Sequence, residues 1–269
     1  MDLLQYTEEM SKSIWDKAFF MDKIGNSKLV IDFGCANGAL ITMLGRLFPE
    51  TTFYGYDINS DLIDMAVKAK QTNNIFFFDK HNFNSMLYLA LTNYKQDEIC
   101  LNLSCVLHEV YSQAYTFGEQ RFDDLQAIIN TLQPQYITIR DMYFFNHNYQ
   151  SIKVPDSILN PILDKVDAVK LEDFSATYGP ICKWRELTHF LMKYQWKDND
   201  WDKEMSEDYY VWSLNNFIAR VNTKSPYKVI FENHYQLPYL LNKWKKEYNF
   251  CNPEACTHIQ VILRRMDDD

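Results

Sequence analysis

Residues 30–40 carry the side-chain types that let a protein backbone approach a ligand closely. An apolar run, Val-Ile-Asp-Phe, is followed by a turn that holds Gly34 and Gly38, two of only 7 glycines in the 269-residue chain. Small residues between a strand and a helix expose backbone amides that can bind a ligand. Asp57 ends the next strand-like segment, where a carboxylate can accept two hydrogen bonds from a ribose diol. The pattern predicts a nucleoside-containing cofactor.

Two cofactor motifs compete for this turn. Gly34, Ala36 and Ala39 match the dinucleotide fingerprint G-x-G-x-x-G/A with the second glycine replaced. The motif D/E-x-G-x-G-x-G, which binds S-adenosylmethionine, is matched by Asp32, Gly34, Ala36 and Gly38 with one Gly-to-Ala departure at Ala36. The acidic residue favours the second motif, because S-adenosylmethionine has an α-amino group and no pyrophosphate. The chain therefore resembles the class I S-adenosylmethionine-dependent methyltransferases over residues 28–142 and 227–265.

The resemblance implies S-adenosylmethionine as the cofactor. It implies that Asp57 binds the ribose hydroxyls and that Asp79 lies beside the adenine, as an acceptor for its amino group. Residues 104–109 would line the pocket for methyl transfer. The cofactor-binding residues implied in this way are Asp32, Gly34, Ala36, Gly38, Asp57, Ile58, Asp79 and Ser104.

The candidate catalytic residues follow the fourth and fifth predicted strands. His108 is a candidate general base, because the ordinary pKa of histidine lies near neutrality, and Glu109 would orient it or bind the substrate. Arg140 and Asp141 would face the substrate. The alternatives are a capping or packing role for His108 and an ion pair that stabilises the loop at Arg140. No metal site is predicted: the Asp-Asn pair of metal-dependent O-methyltransferases is missing, and Cys251, Cys256 and His258 have an unusual spacing for zinc.

Alternating segments indicate the elements that position these residues. Strands are predicted at 29–33, 52–56, 75–78, 99–103 and 136–139, with helices between them, which is typical of a parallel sheet with right-handed crossovers. The ending, with a strand at 227–231, a helix at 238–248 and a strand at 258–263, resembles the family's sixth strand, helix and antiparallel seventh strand. We therefore predict an α/β, Rossmann-like, seven-stranded sheet, mostly parallel with an antiparallel last strand.

The long segment between the fifth and sixth strands lacks clean strand alternation. We predict a methyltransferase core at 1–142 and 227–269, and a helical cap at 143–226 that is inserted after strand five and selects the substrate. Trp184, Arg185, His189 and Tyr194 are the candidates to touch a substrate. Packing in a core is the alternative for each of them, because aromatic residues at helical spacing usually pack inside.

Composition limits the partners. The formal net charge is −9, which argues against a duplex-DNA binder but leaves RNA open. No apolar run reaches the roughly 20 residues of a membrane span, the first ten residues do not resemble a signal peptide, and the scattered cysteines indicate reduced thiols and a cytoplasmic protein. The predicted function is methyl transfer to a small molecule at oxygen or nitrogen. An RNA- or protein-modifying methyltransferase and a non-methylating adenosylmethionine-binding protein remain alternatives, and the sequence does not indicate the oligomeric state.

Overall fold

The structure is a computed structural model that describes residues 13–114, 120–143, 151–210, 212–221, 226–250 and 256–266. Residues 1–12 of the predicted core and Cys251 lie outside these residues. Seven strands form one sheet in the order β3-β2-β1-β4-β5-β7-β6. Their bounds are β1 Leu29–Phe33, β2 Thr52–Tyr56, β3 Ile75–Phe78, β4 Ile99–Ser104, β5 Tyr136–Met142, β6 Tyr227–Tyr235 and β7 His258–Arg265.

The sheet is mostly parallel, and its last strand is antiparallel. This confirms the predicted Rossmann-like fold and the predicted ending of the chain. Strands β1 and β4 are buried along their whole length, as expected for parallel strands that are covered by helices on both faces. The continuous apolar runs in the sequence therefore reflect this double burial.

The helices in the described part of the chain fall between and after these strands. Their bounds are α1 Ile14–Lys17, α2 Ala39–Leu47, α3 Ser60–Ala69, α4 Phe83–Asn93, α5 Leu107–Ala114, α6 Gln120–Leu132, α7 Asp156–Leu163, α8 Ala168–Tyr178, α9 Trp184–Tyr194, α10 Trp201–Ser206, α11 Leu214–Val221 and α12 Pro238–Tyr248. A short 3₁₀ turn, Gln96–Glu98, precedes β4. None of these described helices combines the length and the apolar character that a membrane span requires.

The chain divides into two compact units whose limits differ from the division predicted above. The first comprises Met1–Asp141, Trp212–Glu232 and Gln260–Asp269, and the second Met142–Val211 and Asn233–Ile259. Helix α11 thus belongs with the sheet-bearing unit, although the sequence pattern assigned it to the cap. Helix α12 belongs with the second unit, although its family-like position assigned it to the core. The substrate-selecting role of residues 143–226 stays a prediction.

The second unit has its own aromatic core. Trp184, Tyr194 and Trp244 are buried in one apolar cluster, and the buried imidazole of His189 packs against the rings of Tyr178 and Phe174. Burial lowers the pKa of His189 well below its usual value, so the ring is neutral at physiological pH. Trp184, His189 and Tyr194 are therefore core residues of this unit, which agrees with the packing alternative.

Candidate active site

Five predicted site residues each follow a residue of one row of hydrogen-bonded partners in the sheet. Phe78, Tyr56, Phe33, Leu103 and Ile139 are successive partners across β3, β2, β1, β4 and β5. The residue that follows each partner in the chain is a predicted site residue, and these residues are Asp79, Asp57, Gly34, Ser104 and Arg140. Parallel strands end at the same edge of a sheet, and ligands of open α/β sheets bind beyond that edge. The register thus brings five separately predicted residues to one edge.

The turn after β1 is held in a left-handed conformation at three positions. Gly34, Ala36 and Gly38 have φ angles of 79°, 49° and 70°. The backbone N–H groups of Gly34 and Cys35 both donate to the carbonyl oxygen of Tyr56, at 2.8 and 3.0 Å. This turn and the end of β2 are therefore directly coupled.

Asp57 joins the two loops that follow β1 and β2. Its Oδ2 accepts a hydrogen bond from the N–H of Ala36 at 2.9 Å, and its Oδ1 accepts one from the N–H of Asn59 at 2.9 Å. The carboxylate is only partly buried, so its remaining lone pairs can accept hydrogen bonds from a ribose diol. Asp57 therefore has a structural role in addition to its predicted ligand role.

Glycine is required at Gly34 by close packing as well as by φ. A Cβ at this position would lie 2.7 Å from Cγ2 of Val106, which is the second residue after β4. At Gly38 an added Cβ would collide with the ring of Phe77. Both glycines let neighbouring segments pack closely against the turn. Ala36, which replaces the family's middle glycine, has a left-handed backbone conformation, and this conformation costs about 1–2 kcal/mol for a residue with a Cβ.

Replacing Ala36 by glycine is expected to stabilise the protein by about 0.5–1 kcal/mol. Relief of the left-handed strain is offset in part by the larger conformational entropy of glycine in the unfolded chain. Urea denaturation of the two proteins measures the difference. Ala39→Gly, at the first position of α2, is the matched control: it adds the same entropy cost without relieving strain, and it should lower the free energy of unfolding. An Ala36→Gly protein no more stable than the control would contradict the strain argument.

Asp32 is buried inside β1 and is held by a relay of amide and hydroxyl groups. Nδ2 of Asn102 donates to its Oδ1 at 2.7 Å, and the Oγ1 hydroxyl of Thr138 donates to Oδ1 of Asn102 at 2.8 Å. Burial raises the pKa of Asp32 to about 6, although the Asn102 bond and the positive charge of Lys17 act in the opposite direction. At neutral pH this carboxylate is ionised at an energetic cost, and a bound ammonium group would reduce that cost.

The carboxylate of Asp79 accepts hydrogen bonds from the residues just before α4 and from the first residue of α3. Its Oδ1 accepts hydrogen bonds from the N–H groups of His81 and Asn82, and its Oδ2 accepts one from the hydroxyl of Ser60 at 2.8 Å. Burial raises the pKa of Asp79, but these hydrogen bonds outweigh the effect and the pKa lies below its ordinary value. Asp79 thus organises this loop, and its place at the edge is compatible with the implied adenine contact.

A small cavity of about 50 Å³ lies at this edge. Residues of the loops after β1 and β2, of β2 itself and of helices α5 and α6 line it, among them Gly34, Asp57, Ile58, Glu109 and Asp124. The Tyr56 hydroxyl donates to Oδ2 of Asp124 at 2.9 Å, and burial raises the pKa of Asp124. The cavity brings Ile58 and Glu109 together with the glycine turn.

Ser104 supplies a further polar group for a ligand. Its side chain is buried at the end of β4, and its Oγ has no hydrogen-bond partner in the part of the chain that the structure describes. A buried hydroxyl is normally paired, so a ligand at this edge would satisfy it. This hydroxyl, the partly buried Asp57 carboxylate and the glycine turn are a donor and acceptor set that fits the amino-acid and ribose groups of S-adenosylmethionine.

His108 is oriented by Asp141, which sequence reasoning considered for other roles. Nδ1 of His108 lies 2.6 Å from Oδ1 of Asp141, and Oδ2 accepts hydrogen bonds from the backbone N–H groups of Leu107 and His108 at 2.7 and 3.2 Å. The carboxylate thus caps α5 and holds the imidazole at the same time. It favours the tautomer with the proton on Nδ1, which leaves the basic lone pair on Nε2. Glu109, predicted to orient His108 or to bind the substrate, lines the cavity, and both roles stay predictions.

Arg140 is buried and forms an ion pair with Asp16 of helix α1. Its Nε donates to Oδ2 of Asp16 at 2.7 Å, and its Nη1 donates to the Cys105 thiol at 2.6 Å. The ion pair that the sequence suggested near Arg140 is therefore observed with Asp16, which is distant in sequence. These contacts give Arg140 a positioning role for α1 and for the loop after β4, and its predicted catalytic role stays a prediction.

Comparisons with known proteins agree with this architecture. A family model described as "Methyltransferase domain" matches residues 24–250. No curated protein matches the chain. The crystal structure of an S-adenosylmethionine-dependent methyltransferase from Anabaena variabilis has a TM-score of 0.50 at 12% identity and covers 96% of this chain and 85% of that chain. A Listeria monocytogenes protein assigned to the same enzyme class has a TM-score of 0.50 at 12% identity, with coverages of 96% and 100%. At these identities the structural likeness concerns the fold.

The family match extends over most of the chain and includes the whole glycine turn, β2 and the segment with His108. The chain therefore belongs to the methyltransferase-domain family and is a class I S-adenosylmethionine-dependent methyltransferase. Its cofactor is S-adenosylmethionine.

Proposed function

We propose that this enzyme transfers the methyl group to an oxygen or nitrogen atom of a small molecule, with His108 as the general base. The observation that carries the proposal is the buried His108–Asp141 pair, with 2.6 Å between Nδ1 and Oδ1, directly after β4. S-adenosylmethionine, when bound, supplies a methyl group that is already activated on a sulfonium centre. What remains for the protein is alignment of the acceptor and removal of its proton.

The proton balance follows from the tautomer that Asp141 favours. An acceptor hydroxyl or amine would lose its proton to Nε2 of His108, and S-adenosylmethionine, held by residues such as Asp32 and Asp57, would supply the methyl group and leave as S-adenosylhomocysteine. The resulting imidazolium carries its second proton on Nδ1, where the Asp141 carboxylate stabilises the charge. His108 is 3% exposed, so little bulk water competes for its proton.

The charge around the cavity supports a small acceptor over a nucleic acid. Asp57, Glu109 and Asp124 all line the cavity, and the whole chain has a formal net charge of −9. A phosphate backbone would be repelled there, whereas a neutral or cationic acceptor would not. We further propose that residues 143–226 select the acceptor and that the enzyme is cytoplasmic. Free thiols at Cys35, Cys100, Cys105, Cys182 and Cys256 support a reducing compartment.

Calorimetric titration with S-adenosylmethionine and S-adenosylhomocysteine tests the cofactor residues. Asp57→Ala is expected to weaken binding tenfold or more, about 1.4 kcal/mol, because the ribose hydroxyls lose their acceptor. Asp64→Ala, which removes an exposed carboxylate from α3, is the matched control and should bind like the wild type. Asp57→Asn keeps one acceptor oxygen and so retains one of the two hydrogen bonds from Ala36 and Asn59, which shows how much of the loss in Asp57→Ala comes from damage to the loops. Equal affinities of the wild type, Asp57→Ala and Asp64→Ala would contradict the assignment of Asp57.

The acceptor class is tested with a labelled methyl group. Purified enzyme is incubated with small-molecule, RNA and protein fractions of a cell extract, and each fraction is then counted separately. Label in the small-molecule fraction is the expected result. Label in the RNA or protein fraction would replace the proposal with one of the two alternatives, and cofactor binding without label in any fraction would indicate a non-methylating binder.

A further inference from the structure

Asp16 anchors helix α1 at the carboxyl edge of the sheet. Asp16 accepts a hydrogen bond from Arg140 of β5 at 2.7 Å, and Nε2 of Gln260 in β7 donates to its Oδ1 and to its carbonyl oxygen, both at 3.0 Å. A short distance along the chain, Phe20 is fully buried in the same core cluster as Val30 of β1. The residue between these two anchors, Lys17, is therefore held at this edge.

Lys17 is a buried cation at the place where the ligand is expected. The residue is 7% exposed, which is unusual for lysine unless the charge is compensated. The charged and titratable groups that act on it lie in four segments of the chain. They are Asp16 of α1, Asp32 of β1, Cys105 of the loop after β4 and Arg140 of β5. Burial lowers the pKa of Lys17, and the nearby Arg140 acts in the same direction. An additional anion beside Lys17 would offset both effects.

The amino-acid end of S-adenosylmethionine has the complementary charges. It carries an α-ammonium and an α-carboxylate on one carbon atom, so a site for it needs an acidic and a basic group close together. Asp32 and Lys17 are such a pair, because each is among the electrostatic neighbours of the other. Without a ligand, both are buried charges that are costly to the protein.

We propose that Lys17 binds the α-carboxylate of the cofactor while Asp32 receives its α-ammonium group. This inference rests on the proposed function, because it concerns the same cofactor site. It predicts that much of the affinity for the cofactor comes from the amino-acid end, and that α1 contributes a binding residue as well as covering the sheet edge.

Two ligands that differ only in the amino-acid end test the proposal. S-adenosylhomocysteine has this end, and 5′-methylthioadenosine lacks it but keeps the adenosine and the sulfur. Calorimetry on Lys17→Met is expected to show affinity for S-adenosylhomocysteine reduced tenfold or more and affinity for 5′-methylthioadenosine changed less than about twofold, since the adenosine contacts are untouched. Lys28→Met is the matched control, because Lys28 is exposed and precedes β1 at the opposite edge.

The outcomes separate this inference from the proposed function. Equal loss for both ligands, or no loss for either, would overturn the role of Lys17 while leaving the cofactor assignment intact. Failure of the wild type to bind S-adenosylhomocysteine would contradict the cofactor site itself. Should Lys17→Met fail to fold, Lys17→Arg and Lys17→Gln provide the comparison. The arginine variant is expected to keep the preference for S-adenosylhomocysteine and the glutamine variant to lose it, and the same preference in both would overturn the proposal.

Discussion

Replacing His108 by glutamine is expected to lower the rate of methyl transfer by a factor of about 10² to 10⁴, the usual contribution of a general base. Glutamine can still donate a hydrogen bond to Asp141, but its amide has no basic lone pair that could take the acceptor's proton. The affinity for S-adenosylhomocysteine should be unchanged, because His108 is not among the residues proposed to bind the cofactor. Single-turnover transfer of a labelled methyl group and calorimetry on the same preparation measure the two effects separately.

The Asp141→Asn variant tests whether His108 acts as a general base or only packs in the fold. The amide introduced by this substitution could donate a hydrogen to Nδ1 of His108, which would place the imidazole proton on Nε2 and remove the basic lone pair from the substrate side. The wild-type rate should rise with pH as the imidazole loses its proton, and this rise should be absent in His108→Gln. A purely structural role of the pair would lower the melting temperature of both variants but leave the shape of the pH–rate profile unchanged. That result would contradict base catalysis.

The sequence predicted the bounds of β1, β2 and β3, whereas β5, β6 and β7 extend beyond their predicted ends, and the register that unites the strands was not predicted. Asp57, Asp79 and Ser104 each follow a predicted strand, and the ligand roles of Asp79 and Ser104 were implied by the family resemblance. The apolar runs of such strands are clear when both faces of a strand are buried. That Phe33, Tyr56 and Leu103 lie in one row depends on hydrogen bonding between strands. This pairing has no local signal in the sequence.

The residues that sequence reasoning missed act through contacts that are distant in sequence. Asn102 and Thr138 support Asp32 from two other strands, and both look like ordinary polar interruptions of a buried strand. A polar residue in an otherwise apolar central strand is the signal that could have found them, because such a residue must be paired when buried. Lys17 gave no comparable signal, since a lysine on a short helix is usually exposed.

The limits of the two units were the least predictable feature. Helix α12 has the amphipathic pattern expected of a helix on the sheet, yet Leu240, Trp244 and Tyr248 pack in the aromatic cluster of the second unit. An amphipathic pattern states that a helix has a buried face, but not which surface covers that face. The family's element order therefore predicted the existence of α12 and not its packing partner.

Asp32→Asn is expected to raise the free energy of unfolding at pH 7 by about 1–3 kcal/mol, while weakening cofactor binding tenfold or more. The pKa of Asp32 is raised from 3.8 to about 6, so ionisation at pH 7 costs the folded state about 1.4 kcal/mol for each unit of the shift. Asparagine keeps the oxygen that accepts the hydrogen bond from Asn102 and removes the buried charge. It also removes the partner for the α-ammonium group, which accounts for the loss of affinity.

The difference in the free energy of unfolding between Asp32→Asn and the wild type depends on pH. Because the folded-state pKa of Asp32 is raised, its contribution to stability is fully present below about pH 4 and is lost as the pH rises to about 6. The advantage of Asp32→Asn over the wild type should therefore be small near pH 4, grow between pH 4 and pH 6, and stay constant at higher pH. Urea denaturation across this range measures it, with the exposed Asp64→Asn as the control. A variant less stable than the wild type at pH 7 would mean that Asp32 is held for folding, whereas the expected result would mean that this buried carboxylate is retained for the ligand at the expense of stability.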